Sequence, residues 1–413
     1  MDWSFLIKNK DSLHVTTDSR KVTPGSVFVA LKGERFDGNM FAAQALELGA
    51  EYAVVDTDLP LTCSQTKDYS GRLIRVENTL TALQDLARTW RRELGIPVLG
   101  ITGTNGKTTT KELCAAVLSR KYRLHYTQGN LNNQIGVPLT LLQITRAHEM
   151  AIVEMGASHP GDIKELVEIA EPNYGLITNV GRAHLQGFGS FEGVMRTKAE
   201  LYDWLRVHGG TCFRNSDNPY LAQMAGDLPA ILYQTGTMPD GTHLVGGYNA
   251  ENISAAICVG EYFGVSREDA LAAIRAYVPS NNRSQLMQTE HNTVVVDAYN
   301  ANPTSMQAAM EAFGKVPCDQ GANTKDCYIL GAMRELGEYS HLEHQNIVNM
   351  LLERKADLVY LVGEEYQDTT APYTIFDNVN SLCEHLRQTP LKGYRILLKG
   401  SRSNQLEKVI PYL

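Results

Sequence analysis

An α/β fold in three domains is the architecture this sequence predicts: a small N-terminal α/β domain, a central domain on a parallel sheet, and a C-terminal doubly wound, Rossmann-like domain. Three observations predict it. At 413 residues the chain exceeds what one hydrophobic core organises. Short apolar strand-like runs alternate with helical patterns along its whole length. The alternation is broken twice, before a helix opening near Thr79 and at Pro279-Ser-Asn-Asn-Arg-Ser284, an interdomain hinge. The boundaries expected are therefore 1–79, 80–279 and 280–413.

In the first domain Leu13–Thr17, Val27–Leu31, Ala53–Asp56 and Leu73–Glu77 read as strands, and Asn39–Leu48 as a helix closed by Gly49. Two polar turns, Thr17-Asp-Ser-Arg20 and Lys32-Gly-Glu-Arg-Phe-Asp-Gly38, follow strands, where ligand contacts are common but solvated turns are commoner.

The central domain opens with a helix over Thr79–Leu94. The apolar run Val98–Ile101 is a buried strand, and Lys107 through Leu118 a helix. Between them stands Gly103-Thr-Asn-Gly-Lys-Thr108. Glycines there let backbone N–H groups curl around phosphate oxygens, and the helix N-terminus adds partial positive charge. The pattern assigns Gly103, Thr104, Asn105, Gly106 and Thr109 to the cradle, Lys107 to the β- and γ-phosphates and Thr108 to Mg²⁺. Binding of ATP or GTP follows, and the domain is of the P-loop ATPase kind. The loop Gly129-Asn-Leu-Asn-Asn-Gln-Ile-Gly-Val-Pro138 carries three asparagines suited to a polar ligand or to turn capping. Met150–Glu154 is a strand with an acid at its carboxyl end, where parallel sheets place ligands, so Glu154 is a credible Mg²⁺ ligand. Gly175–Asn179 is a strand whose exit loop carries His184. Lys198 lies on a helix entered from Ser190 and, by spacing alone, is a solvated charge. Strands at Thr211–Arg214 and Ile231–Gln234 precede helices at Tyr248–Phe263 and Arg267–Ala276. Asn249 and Asn252 share a face of the first of these.

Beyond the hinge, strands at Thr293–Asp297, Tyr328–Leu330, Leu358–Val362 and Arg395–Lys399 alternate with helices at Pro303–Phe313, His341–Lys355 and Val379–Leu386. The ligand edge carries Asp297-Ala-Tyr-Asn-Ala-Asn-Pro303, Gly331-Ala-Met-Arg-Glu-Leu-Gly337 and Lys399-Gly-Ser-Arg402.

Composition narrows the function classes. Hydrophobic residues make up 43% and charged residues 20%, an ordinary globular balance. A net charge of −8 argues against a general nucleic-acid or membrane-surface binder, so anionic ligands must be met by local donors. No apolar run approaches a membrane span, and Met1-Asp-Trp3 does not begin a signal peptide. The seven cysteines (63, 114, 212, 258, 318, 327, 383) form no C-x-x-C pair and read as reduced thiols of a cytoplasmic protein.

Taken together, Gly-Thr-Asn-Gly-Lys-Thr-Thr109, Glu154-Met-Gly, Asn179-Val-Gly-Arg-Ala-His184, Lys198-Ala-Glu-Leu, Asn249-x-x-Asn252 and Arg283 resemble the Mur ligase family, ATP-dependent amide-bond ligases of peptidoglycan synthesis. Within it, the Gly129–Leu142 stretch, Tyr299-Asn-Ala-Asn-Pro-Thr-Ser-Met306 and Glu335-Leu-Gly-Glu338 are similar to the branch that joins D-alanyl-D-alanine to UDP-N-acetylmuramoyl-tripeptide. The resemblance implies that Lys107, His184, Lys198 and Arg283 are catalytic. It implies two Mg²⁺ sites among Thr108, Glu154, His184 and Lys198, the lysine carried as a carbamate. Asn249 and Asn252 would lie at adenine, Arg283 at the γ-phosphate and Asp297 at the ribose. Ser19, Arg20, Gly33, Glu34 and Arg35 would hold the UDP-sugar, and Asn130, Asn132, Asn133, Asn300 and Asn302 the peptide substrates. A monomer is expected. Asn39, Tyr248 and Ala332 depart from the family pattern, which usually has His, His and Asp there. The alternatives are a lysine- or diaminopimelate-adding ligase, a folylpolyglutamate synthase-like ligase, a P-loop kinase, or a non-catalytic or amidotransferase-partner relative. The last usually carries a four-cysteine zinc ribbon, which this sequence lacks.

Overall fold

Hydrophobic strand runs separated by helices assemble into three parallel-sheet layers in the computed structural model, which describes residues 1–57, 69, 71–279, 282–314 and 325–413. The first sheet takes its strands in chain order, Val15–Thr16, Val27–Val29, Tyr52–Val55 and Leu73–Arg75, all parallel. The second orders Ala230–Tyr233, Thr211–Asn215, Tyr174–Ile177, Val98–Thr102, Met150–Glu154 and Leu124–Tyr126, again all parallel. The third has an antiparallel edge strand, Gln285–Gln288, against Thr293–Asp297. Tyr394–Lys399, Lys325–Gly331, Leu358–Val362 and Thr374–Phe376 then follow in parallel. Cys63, Cys318 and part of the hinge (280 and 281) lie outside the described residues.

The central sheet is apolar on both faces because both are covered. Val98, Ala151 and Val153 pack under the helices Thr79–Leu94, Asp162–Ala170 and Phe191–His208. Leu99, Ile101 and Ile152 face the opposite way, onto Lys107–Leu118 and Asn249–Tyr262. The Thr79–Leu94 helix also seals one face of the first sheet, through Val27, Val29 and Val54, so the first two domains share a core. In the third domain Val295, Leu330 and Leu397 face one layer while Val294, Val296 and Leu398 face the other.

Several local expectations change. Asn39–Leu48 is not one helix: a 3₁₀ turn spans Gly38–Phe41, and α-helix begins only at Ala42. The cause is Asn39, which is buried and bonded to both Asp37 and Asp56. The Lys32–Gly38 turn is a small hairpin, Lys32–Gly33 against Phe36–Asp37. The Gly129–Pro138 loop gives way to a helix, Gly136–Leu142, at whose entrance the Asn133 side-chain Oδ1 accepts from the Ile135 and Gly136 N–H groups. No helix of the described residues is long and apolar enough to cross a membrane.

Candidate active site

The Val98–Thr102 strand delivers the chain into a turn that only glycine can make. Gly103 has φ +143°, and a Cβ there would lie 2.0 Å from Thr178 Oγ1. Gly106 has φ +79°, and its Cβ would lie 2.5 Å from Asn252 Oδ1. The loop is held from outside: Asn105 N–H donates to Asn179 Oδ1 (3.0 Å), and Thr178 Oγ1 donates to the Asn105 carbonyl (2.6 Å). Lys107 curls back to donate to the Gly103 and Thr104 carbonyls at 2.7 and 3.0 Å. Burial pulls its ammonium down to about 8; Glu154 opposes the shift and Arg283 adds to it.

Glu154 stands at the strand end, buried beside this loop. Its Oε1 accepts from Thr108 Oγ1 at 3.2 Å and Asn132 Nδ2 at 2.8 Å. Its Oε2 has no hydrogen bond; the buried Lys111 ammonium lies 3.4 Å away as an ion pair. A carboxylate next to a hydroxyl is a hard-oxygen pair suited to Mg²⁺, which takes one or two protein ligands and fills the rest with phosphate and water. Thr108 and Glu154 therefore fit that ion. Among the described residues no group of three or more His, Cys, Asp or Glu is arranged to hold a metal.

Around these residues a cleft of about 860 Å³ opens between the central and C-terminal domains. His184, Asn249, Asn252, Arg283, Asp297 and Asn300 all line it, as do Asn130, Asn132 and Asn133. Arg283 stacks on Tyr299, 3.9 Å from the ring centroid, and its buried Nε has no hydrogen-bond partner. A desolvated guanidinium N–H left open is a ready anion donor. Asp297 accepts from Lys399 Nζ at 2.8 Å. The Asn249 and Asn252 amides are partly committed already: Asn252 accepts from Thr110 Oγ1 (3.0 Å) and donates to Asn249 Oδ1 (2.9 Å).

Other expected residues sit elsewhere. Asn302 is outside the cleft wall; it caps the Pro303–Phe313 helix and donates to Asn105 Oδ1 at 2.8 Å, so it bridges the phosphate loop to the third domain. Lys198 is also absent from the wall. It is 2% exposed, with Nζ 5.5 Å from the Phe188 ring centroid, which overturns the solvated-charge reading. Burial and the neighbouring Lys107 hold its ammonium well below the ordinary lysine range, against the pull of Asp162 and Glu200. Ser19, Arg20, Gly33, Glu34 and Arg35 line no part of the cleft; Arg20 is paired with Asp18 at the surface of the first domain. Of the departures, Tyr248 bonds Ser284 Oγ at 2.6 Å, and Ala332 is buried between strand ends. Sequence reading assigned no role to Lys111 or Glu335. Lys111 lies one turn after Lys107, and that spacing was its available signal.

Three successive stretches match known domains: residues 13–91 the Mur ligase family catalytic domain, 101–238 the Mur ligase middle domain, and 282–402 the Mur ligase glutamate ligase domain. A UDP-N-acetylmuramoyl-tripeptide--D-alanyl-D-alanine ligase of Bacillus subtilis is 35% identical, over 96% of this chain and 92% of its own length. The chain belongs to the Mur ligase family. The Synechocystis ligase of the same description is 34% identical over 97% of this chain and 91% of its own. Among solved structures, the MurF ligase of Thermotoga maritima in complex with ADP superposes with a TM-score of 0.84 at 28% identity, covering 98% of both chains. MurF from Acinetobacter baumannii gives 0.83 at 28%, over 96% and 92%. This Mur ligase is thus an ATP-dependent ligase in which the phosphate loop of one domain faces the sheet edge of another.

Proposed function

We propose that this Mur ligase joins D-alanyl-D-alanine to UDP-N-acetylmuramoyl-tripeptide in the cytoplasm, as a monomer, through an acyl phosphate. The observation that carries the reading is the convergence of Lys107, Arg283 and His184 on one interdomain cleft beside the Thr108–Glu154 pair. Near-full-length likeness to ligases of that description supports the substrate pair.

A carboxylate oxygen of the tripeptide attacks the γ-phosphorus of ATP, and ADP leaves. Two anions must approach, so the step needs cations placed in advance. Lys107 would grip the β- and γ-phosphates and Arg283 the γ-phosphate from the third domain. Mg²⁺, held at Thr108 and Glu154 with a second ion toward His184 and a carbamylated Lys198, would neutralise phosphate charge. Burial favours the neutral lysine amine, the form that reacts with CO₂ to give a carbamate. The amine of the dipeptide then attacks the acyl carbon, loses a proton, and phosphate departs. Closure of the cleft would keep water from the acyl phosphate. Asn249 and Asn252 would lie at adenine and Asp297 at the ribose. Residues 1–79 would hold the UDP-sugar through Ser19, Arg20 and the Gly33–Arg35 hairpin, 80–279 the ATP, and 280–413 the incoming dipeptide near Asn300.

Turnover measured with UDP-tripeptide and a panel of amines tests this. D-alanyl-D-alanine is expected to exceed D-alanine, L-lysine, D-glutamate and diaminopimelate by orders of magnitude, because a single amino acid leaves site donors unpaired at roughly 1–3 kcal/mol each. Preference for a single amino acid overturns the assignment, and a phosphorylated product without an amide would make the protein a kinase.

A further inference from the structure

The Val180–His184 loop and the start of the Leu185–Phe188 helix that follows it are gripped by the third domain. Arg182 N–H donates to Thr304 Oγ1 at 3.2 Å, the Arg182 guanidinium pairs with Glu343 at 3.5 Å, and Gln186 N–H donates to the Glu335 carbonyl at 3.4 Å. At its centre, His184 Nδ1 is in hydrogen-bond contact with the Glu335 carboxylate, 151 residues away in sequence. Both residues have left-handed backbones, φ +49° at His184 and +61° at Glu335. Two non-glycine residues held in that region to make one contact are over-determined by their surroundings, a condition that clusters at working sites.

We propose that Glu335 is the positioning residue for His184: it fixes the proton on Nδ1 and leaves Nε2 as the ring nitrogen available to the phosphate and metal side of the cleft. This rests on the ligase reading above. The argument is one of donors and acceptors. A carboxylate only accepts, so the imidazole nitrogen that meets it must carry hydrogen. A histidine that serves a metal or phosphate through one nitrogen is oriented by what its other nitrogen bonds, most often a carboxylate or carbonyl. Here that partner belongs to a different domain. His184 is therefore correctly set only when the third domain is docked, which makes completion of the site conditional on closure. Glu335 is 57% exposed, so the contact contributes little to stability and its consequence is orientation.

The test compares wild type with Glu335→Gln, Glu335→Ala and Glu338→Ala, the last removing an exposed charge of the same loop. Histidine ¹⁵N shifts of the metal-free protein, with His184 assigned from a His184→Gln spectrum, report the tautomer. Wild type is expected to show a protonated Nδ1 at His184, Glu335→Gln to keep it through the amide oxygen, and Glu335→Ala to lose it. In turnover, Glu335→Ala should raise half-saturating Mg²⁺ about 10–100-fold, with the KM for UDP-tripeptide changed less than about twofold. Glu335→Gln should recover most of the loss, and Glu338→Ala should match wild type. An unchanged Nδ1 signature together with unchanged Mg²⁺ dependence in Glu335→Ala overturns the proposal. If Glu335→Ala does not fold, an unprotonated Nδ1 in wild type overturns it equally. Failure of wild type to form the amide would instead refute the ligase reading, and the ¹⁵N result stands apart from it.

Discussion

Replacing Lys111 by Met should destabilise the central domain by about 3 kcal/mol, although the two side chains have similar length. Lys111 and Glu154 are 1% and 2% exposed, so solvent screens their attraction little. Removing one partner of such a pair leaves a buried uncompensated charge, which costs roughly 3–5 kcal/mol. Two features hold the value at the lower end. The 3.4 Å separation is long for a charge-assisted bond, and Thr108 and Asn132 continue to donate to Glu154 Oε1. Three-domain chains need not unfold in one step, so the probe must be local. Urea unfolding followed by Trp90, which is fully buried on the helix that flanks the central sheet, in a Trp3→Phe/Trp204→Phe background, meets that need. A saturating Mg²⁺–ATP analogue should recover more stability in the variant than in wild type. The metal would restore the missing positive charge next to Glu154, and ligand at one hundred times Kd contributes about 2.7 kcal/mol by mass action. A Met variant as stable as wild type would refute the reasoning, because it would mean that the pair's attraction does not exceed its desolvation.

Lys198→Ala should lose most turnover and regain part of it with short carboxylic acids, which replace the carbamate anion; near-normal turnover of the alanine variant would remove Lys198 from the mechanism. His125, on the edge strand Leu124–Tyr126, is held down to about 4 by burial, with His148 adding to the shift. Its folded value lies below its ordinary value of 6.5, so between those values the unfolded chain binds more protons. Stability should fall as pH drops from about 6.5 toward 4, by up to roughly 3 kcal/mol. His125→Phe should flatten that part of a pH–stability curve, and an unchanged slope would remove His125 as its source.

What could be read from sequence was local chemistry. Val98–Thr102, Lys107–Leu118 and Met150–Glu154 follow from apolar runs and a glycine turn, and the structure places all three where the pattern did. The Gly136–Leu142 helix was hidden by its own entrance, a run of amides and glycine that is also turn chemistry, with Pro138 inside the first turn. Leu124–Tyr126 is three residues long with a histidine at its centre, too short to show a period. Long-range contacts were out of reach in principle. Spacing put Lys198 on a solvated face because nothing near it in sequence reveals the cover that buries it. Asn302 looked like a substrate amide, yet its partner Asn105 lies 197 residues away. Lys111 meets Glu154, and Glu335 meets His184, only through the packing of whole sheets.

The distribution of charge around the cleft bears on what closes it. The chain carries a net charge of −8, yet Lys107, His184 and Arg283 line one cleft and Lys198 lies buried within reach of Lys107. Burial is the main cause that lowers Lys107, Lys198 and His184, and neighbouring cations add to it: Arg283 at Lys107, and Lys107 at both Lys198 and His184, where Glu335 opposes the shift. Across the domain boundary run an amide pair, Asn105 with Asn302, an ion pair of Arg182 with the buried Glu343, the His184–Glu335 hydrogen bond, and the hydrogen bonds of Arg182 N–H to Thr304 and of Gln186 N–H to the Glu335 carbonyl. The His184–Glu335 contact, with Glu335 57% exposed, contributes only about 0–1 kcal/mol of this. On the proposed reading a polyphosphate would reverse the balance, bridging Lys107 on one side to Arg283 on the other and turning a repulsive cluster into a bound one. Nucleotide would then be both the reagent and a contribution to closing the site around it, with the interdomain contacts setting the geometry.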